Sequence, residues 1–259
     1  MKLATFRSPS GDTLSGEVRD GRVAAFDDGS TVRDRLASGD RTPASGPDFD
    51  LDEVELLAPH VPRVIFGIGL NYLAHAQEQN AEPPEAPIVF MKLPSSVVAP
   101  GAPVRAPSIV RRLDYEGELA VVMGPGGEVA GYAVADDLTA RDLQRREPQW
   151  TRAKGFDGSC PLGPWVTTAD EVADPGDLGL RTWVNGELRQ DSRTSDLIFG
   201  VPALVAFLRE TCTLEPGDLI LTGTPSGVGM YFDPPRFLGS GDVVRIEIEQ
   251  LGAIEHEVA

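Results

Sequence analysis

Short apolar runs broken by Gly, Pro and Asp dominate the chain. In the body they fall at Val64–Ile68, Ile88–Met91, Glu118–Met123, Gly131–Ala135, Gly163–Thr167, Leu180–Val184, Asp218–Thr222 and Val243–Ile248. Runs this short, bounded by turn formers, predict strands. Helical periodicity is confined to Leu70–Asn80, Thr139–Arg146 and Ile198–Glu210, the last with Val201, Leu204, Val205 and Leu208 on one face. The expected fold class is mainly β with a few short helices. Before the body, runs at Lys2–Phe6, Ser15–Val18 and Val23–Phe26 alternate with turn signals at Gly11-Asp12 and Asp27-Asp28-Gly29, which predicts small antiparallel strands. The stretch Ser38–Asp50 is rich in Gly, Pro, Ser and Asp and lacks periodic hydrophobics, so it reads as a linker. Two units are expected: a small N-terminal β-rich domain over 1–55 and a main domain over 56–259.

Composition narrows the function classes. With 259 residues, 41% of them hydrophobic, the chain can bury a sizeable core. The 22 prolines and 28 glycines suit short strands joined by tight turns. A net charge of -17 spread along the sequence would repel a phosphate backbone, so no nucleic-acid partner is expected. The opening MKLATFRSPSG turns polar early and no run of 18 apolar residues occurs, so neither secretion nor membrane spanning is expected. Cys160 and Cys212 are too few for a disulfide framework; two thiols in a reducing cytoplasm are the expectation.

The most informative motif is Glu116-Gly117-Glu118, followed by Asp137. In an extended strand, residues two apart share a face, so Glu116 and Glu118 present adjacent carboxylates. Two such charges repel unless one is protonated or a cation lies between them. An E-x-E also marks many solvent faces, but Glu118 leads into Leu119-Ala120-Val121-Val122-Met123 and Asp137 follows Tyr132-Ala133-Val134-Ala135. Carboxylates at the mouths of buried strands need a partner. An all-oxygen set of this kind suits Mg2+ or Mn2+, with Ca2+ as a further candidate.

His75 and Glu78 lie three apart in a helical pattern and so share a face. They read either as a surface pair or as a dyad in which Glu78 orients the imidazole and the other ring nitrogen takes a proton from water. The proline-rich stretch after them, Asn80–Pro87, would let this helix act as a lid. Only three lysines, Lys2, Lys92 and Lys154, stand against twenty arginines, which singles out Lys92 and Lys154 without assigning them roles. Arg141 and Gln144 could reach a common ligand, or Arg141 could be salt-bridged. The turn around Thr224, in Thr222-Gly223-Thr224-Pro225, could hold a carboxylate with backbone amides.

Taken together, these segments resemble the fumarylacetoacetate hydrolase family over roughly residues 62–258. The motifs that carry the resemblance are Gly69-Leu70-Asn71-Tyr72 with His75 and Glu78, Phe90-Met91-Lys92, Asp114-Tyr115-Glu116-Gly117-Glu118 and Asp137–Gln144, then Ala153-Lys154-Gly155-Phe156-Asp157, Val184-Asn185-Gly186-Glu187 with Gln190, and Thr222–Gly229. The resemblance implies a mixed β-sandwich or β-roll body, homodimers, and one divalent ion held by Glu116, Glu118 and Asp137. It also implies His75 and Glu78 as the water-activating dyad, Lys154 as the cation at the reacting oxygens, and Lys92, Arg141, Gln144 and Thr224 as the substrate pocket. One position departs: Asp136 stands where relatives often carry Asn, either to tighten the ion or to face solvent.

The expected activity is metal-dependent hydrolysis of a carbon–carbon bond in an acylpyruvate or fumarylacetoacetate-like 2-oxo acid, through an enolate. Isomerisation of a 2-hydroxymuconate-type dienoate and decarboxylation of oxaloacetate are alternatives on the same site. A non-catalytic protein stabilised by a bound cation is the alternative from another class.

Overall fold

The computed structural model describes residues 1–259. Twelve strands form the main sheet; its central order runs Lys2–Arg7, Cys160–Thr168, Val129–Asp136, Gly117–Met123, Leu219–Leu221, Ile65–Gly69 and Ile88–Lys92. Most neighbours are antiparallel, but Leu219–Leu221 lies parallel to Ile65–Gly69. A second sheet of four strands, in the order Glu187–Arg193, Gly179–Val184, Val243–Ile248 and Gly252–Glu257, packs against one face of the first.

Strand alternation explains how the layers join. Leu119, Val121 and Met123 belong to the larger core with Leu180, Val184, Val244, Ile246 and Ile248 of the second sheet. Ala120 and Val122 point to the opposite face, into a smaller core with Leu3, Ile65, Val166 and Leu36. The central strand is therefore buried on both faces, which is why it reads as an unbroken apolar run. Each fully buried Leu, Val or Ile contributes about 1.5–3 kcal/mol. Gly117 faces the second sheet, where a Cβ would meet Thr182 Oγ1 at 2.4 Å and Ile246 Cγ2 at 3.1 Å. Glycine here serves the packing of the two sheets, while Glu116 and Glu118 point to the opposite face.

The N-terminal strands Lys2–Arg7, Thr13–Arg19, Arg22–Ala25 and Asp48–Asp50 continue the main sheet, because Lys2–Arg7 pairs with Cys160–Thr168 through Lys2↔Thr167 and Leu3↔Val166. The segment expected as an appendage thus hydrogen bonds with the body. A helix, Val32–Ser38, forms where no element was expected. Thr31 and Asp34 cap it reciprocally and Gly39 ends it at φ 69°, a capping box and left-handed stop. No helix is long and apolar enough to cross a membrane. Cys160 is buried, Cys212 is half-buried, and neither is in a disulfide.

Candidate metal centre and active site

Register places the acidic trio. Gly117 pairs with Asp136 and Glu118 with Ala135, and Asp137 N–H donates to the Glu116 carbonyl at 2.9 Å. Glu116 and Glu118 at the start of one strand therefore meet Asp137 at the end of its neighbour. One ligand oxygen from each lies within 4.8 Å of the others, and all three side chains are buried.

Burial favours the neutral form of a carboxyl, and for the two glutamates the neighbouring groups decide the outcome. Glu116 is held at about 2, because Arg141 and Lys154 outweigh the cost of burial. Lys154 Nζ donates to Glu116 Oε2 at 2.5 Å and to Asp137 Oδ2 at 2.6 Å, and Arg141 Nη2 lies 2.6 Å from Glu116 Oε1. Despite its burial, Lys154 is raised above the ordinary lysine value by Asp137 and Glu116. Glu118 differs: burial, then Asp137 and Glu116, push its carboxyl well above the ordinary range. Its Oε2 accepts the Gly223 N–H at 2.8 Å, but no basic side chain pairs with it. The trio fits a hard divalent cation, which would supply the positive charge that Glu118 lacks.

Lys92 departs from its expected place. It is 1% exposed and does not line the cavity. Its ammonium donates to Asp137 Oδ1 at 2.7 Å and to Ser159 O at 2.9 Å, and also to the Lys154 carbonyl. The strand Ile88–Lys92 ends beneath Asp137, so Lys92 anchors a carboxylate and the backbone of Lys154 rather than a substrate. Asp136 neither faces solvent nor joins the trio: it is fully buried, takes the Glu116 N–H at 2.8 Å and pairs with His256 Nε2 at 2.8 Å. It holds Glu116 in place through the backbone.

Apart from Glu78 and Asp137, the other candidate site residues surround one cavity of about 380 Å³. His75, Glu116, Glu118, Arg141, Gln144, Lys154 and Thr224 all line it, with Gln79 and Tyr231. His75 stands on the short helix Leu73–Glu78, whose entry is braced by buried Asn71. That amide donates to the Thr222 and Phe199 carbonyls at 2.8 and 3.0 Å and accepts the Phe199 N–H at 2.8 Å.

His75 Nδ1 lies 2.8 Å from Glu78 Oε2, and Glu78 Oε1 takes the Gly227 N–H at 2.9 Å. A carboxylate only accepts, so the proton sits on Nδ1 and the bare lone pair on Nε2. That lone pair receives the Gln79 side-chain N–H at 2.7 Å. The Tyr231 ring packs edge-on at 5.9 Å.

Arg141 Nη1 donates to Gln144 Oε1 at 3.0 Å. Arg141 is also fixed by Asp114 at 2.8 Å, a residue that sequence reasoning quoted without a role. Thr224 Oγ1 donates to the Gly117 carbonyl at 3.0 Å and accepts from Gln190 Nε2 at 2.8 Å, while Gln190 Oε1 takes the Gly117 N–H at 3.1 Å. Gln190 comes from the second sheet, and nothing local in the sequence announces this contact. Gln79 was missed because an amide just after H-x-x-E carries no periodic signal.

Comparison with known proteins gives the family. The fumarylacetoacetate (FAA) hydrolase C-terminal family matches residues 64–259. The mitochondrial oxaloacetate tautomerase of Xenopus laevis is 46% identical over 218 residues, covering 79% of this chain and 68% of the relative. A fumarylacetoacetate hydrolase from psychrophilic Exiguobacterium antarcticum has the same fold, with a TM-score of 0.91 at 34% identity, covering 100% of this chain and 99% of that one. A 5-carboxymethyl-2-hydroxymuconate delta-isomerase from Mycobacterium smegmatis gives a TM-score of 0.84 at 34% identity, with coverage of 100% and 99%. Architecture, motif order and these likenesses agree, and the chain belongs to the fumarylacetoacetate hydrolase family.

Proposed function

We propose that this chain is a metal-dependent tautomerase of oxaloacetate-type 2-oxo acids, moving a proton between C3 and the oxygen on C2. The observation that carries this reading is the single cavity that unites a base with a bare nitrogen, His75 Nε2, and two buried cations, Lys154 and Arg141. His75 takes the C3 proton, and Glu78 stabilises the imidazolium through Nδ1. Negative charge moves to the C2 oxygen, where Lys154 and Arg141 stabilise it in a water-poor site. Return of the proton from His75 completes the exchange in either direction. A divalent ion held by Glu116, Glu118 and Asp137 would supply Lewis acidity toward that oxygen.

Hydrolysis of acylpyruvates is the second reading. The likeness to the Exiguobacterium hydrolase favours it, as does the dyad, which can equally draw a proton from water. The same enolate would arise from oxaloacetate decarboxylation, and a related dienolate from hydroxymuconate isomerisation. Decay of enol absorbance, with Mg2+ or Mn2+ present, measures tautomerisation of oxaloacetate beside cleavage of acylpyruvates, release of carbon dioxide and turnover of a dienoate. Tautomerisation should be the fastest. Acylpyruvate cleavage faster than tautomerisation would overturn the proposal.

We also propose a homodimer. The strand Ile88–Lys92 ends the main sheet, and Val89, Met91 and Leu93 are 39%, 47% and 46% exposed on or beside it. An apolar open edge of this kind invites a second copy. Sedimentation of wild type and Met91→Glu should give a dimer and a monomer, and a monomeric wild type refutes this.

A further inference from the structure

The catalytic nitrogen of His75 already has a hydrogen-bond donor from the protein. Gln79 follows directly after the helix Leu73–Glu78, and its amide nitrogen lies 2.7 Å from His75 Nε2. A water activated by this base would have to donate to the same lone pair at about 2.8 Å. Gln79 therefore occupies the position of the hydrolytic water and replaces its hydrogen bond.

The two candidate reactions use that position differently. Tautomerisation needs one group at Nε2, the substrate's own C3–H. Hydrolysis needs two groups in order, a water at Nε2 and the distal carbonyl carbon beyond it. In hydrolysis the water oxygen bonds to that carbon while its proton passes to His75. The bond between the distal carbonyl carbon and C3 then breaks, its electron pair goes to C3, and the proton returns there, giving a carboxylic acid and pyruvate. A bound substrate can push the amide aside along the cavity wall. The side chain stays tethered next to Glu78, however, in the volume that the water needs.

We infer that Gln79 is a positioning residue that sets the reaction outcome, favouring proton transfer on the substrate over attack by water. This rests on the tautomerase reading and names what enforces it. The signal is local: Gln79 lines the cavity, and it meets the one ring nitrogen that Glu78 leaves bare.

The test compares wild type, Gln79→Ala and Gln79→Met in the Mg2+-loaded protein. The readout is the ratio of kcat/KM for acylpyruvate hydrolysis to kcat/KM for oxaloacetate tautomerisation, with 18O from labelled water counted in the carboxylic acid product. Gln79→Ala opens the water position and should raise the ratio at least tenfold. Gln79→Met refills the volume without a polar group and should stay within threefold of wild type. A ratio in Gln79→Ala within threefold of wild type overturns the inference, and so does a Met variant that matches Ala. In the ion-free protein, 15N shifts of the His75 ring should show Nε2 as the unprotonated nitrogen in wild type; a protonated Nε2 in neutral His75 refutes the geometry without reference to turnover. A wild type that hydrolyses acylpyruvates faster than it tautomerises oxaloacetate, or does neither, overturns the functional reading and this inference with it. A tautomerase whose ratio ignores Gln79 overturns this inference alone.

Discussion

The floor of the cavity and its wall hold polar groups by different means. On the floor and just beneath it, Glu116 and Asp137 are each ion-paired twice, to Arg141 and Lys154 and to Lys92 and Lys154. These charges sit at the ends of central strands, where low polarity makes an unmatched charge costly. On the wall, His75 rides a helix of six residues and is held by side-chain hydrogen bonds to Glu78 and Gln79. The floor couples function to folding, and the wall can change chemistry while leaving stability nearly untouched.

Lys92→Met puts the largest strain on this contrast. It removes one partner of a buried pair and strands Asp137 Oδ1, so stability should fall by about 3–5 kcal/mol, read as a lower urea midpoint. A loss below about 1 kcal/mol would show that the floor is not held by its charges. On the wall, His75→Asn should lower kcat about 10²–10³-fold, about 3–4 kcal/mol of barrier, with a urea midpoint close to wild type. If both variants lost stability equally, the distinction between floor and wall would fail.

The same division explains what the sequence made legible. The floor was readable because strand alternation makes E-x-E a statement about one face, and apolar residues after Glu118 imply burial. H-x-x-E likewise placed His75 and Glu78 together. Contacts between distant elements were not readable: Lys92 under Asp137, Asp136 on His256 and Gln190 on Gly117 each need the tertiary register. The strand Glu187–Arg193 escaped notice because its sequence, ELRQDSR, is almost wholly polar. The helix Val32–Ser38 was hidden in a short segment whose start is signalled by its caps rather than by a long periodic run.

His60 sharpens the comparison, being a histidine buried without a carboxylate on it. It is 7% exposed, its Nε2 lies 2.8 Å from the Gly217 carbonyl, and its Nδ1 has no partner. Burial holds it down at about 4, against an ordinary value of 6.5. The unfolded chain therefore takes up a proton before the folded one does. His60 contributes its stability above pH 6.5, and that contribution is lost as pH falls through about 4. The full span is on the order of 3 kcal/mol. Urea midpoints measured across this window should decline less steeply in His60→Asn than in wild type, and parallel curves would refute the assignment.

Ion binding tests the one floor residue that the internal cations leave out. Glu118 is pushed up by burial, Asp137 and Glu116, so a bound cation should find its largest gain there. Mg2+ or Mn2+ at about 100 times Kd should stabilise the wild type by about 2.7 kcal/mol, and chelation should reverse this. Glu118→Gln keeps an acceptor for the Gly223 N–H yet removes the repelled carboxyl. The ion-free variant should therefore melt at or above wild type, while its response to the ion disappears. Truncating an ion-paired member, as in Asp137→Ala, should instead lower stability before any ion is added, because Lys92 and Lys154 both lose a partner. An ion response that survives in Glu118→Gln would place the cation elsewhere and separate the acidic trio from the chemistry of the cavity.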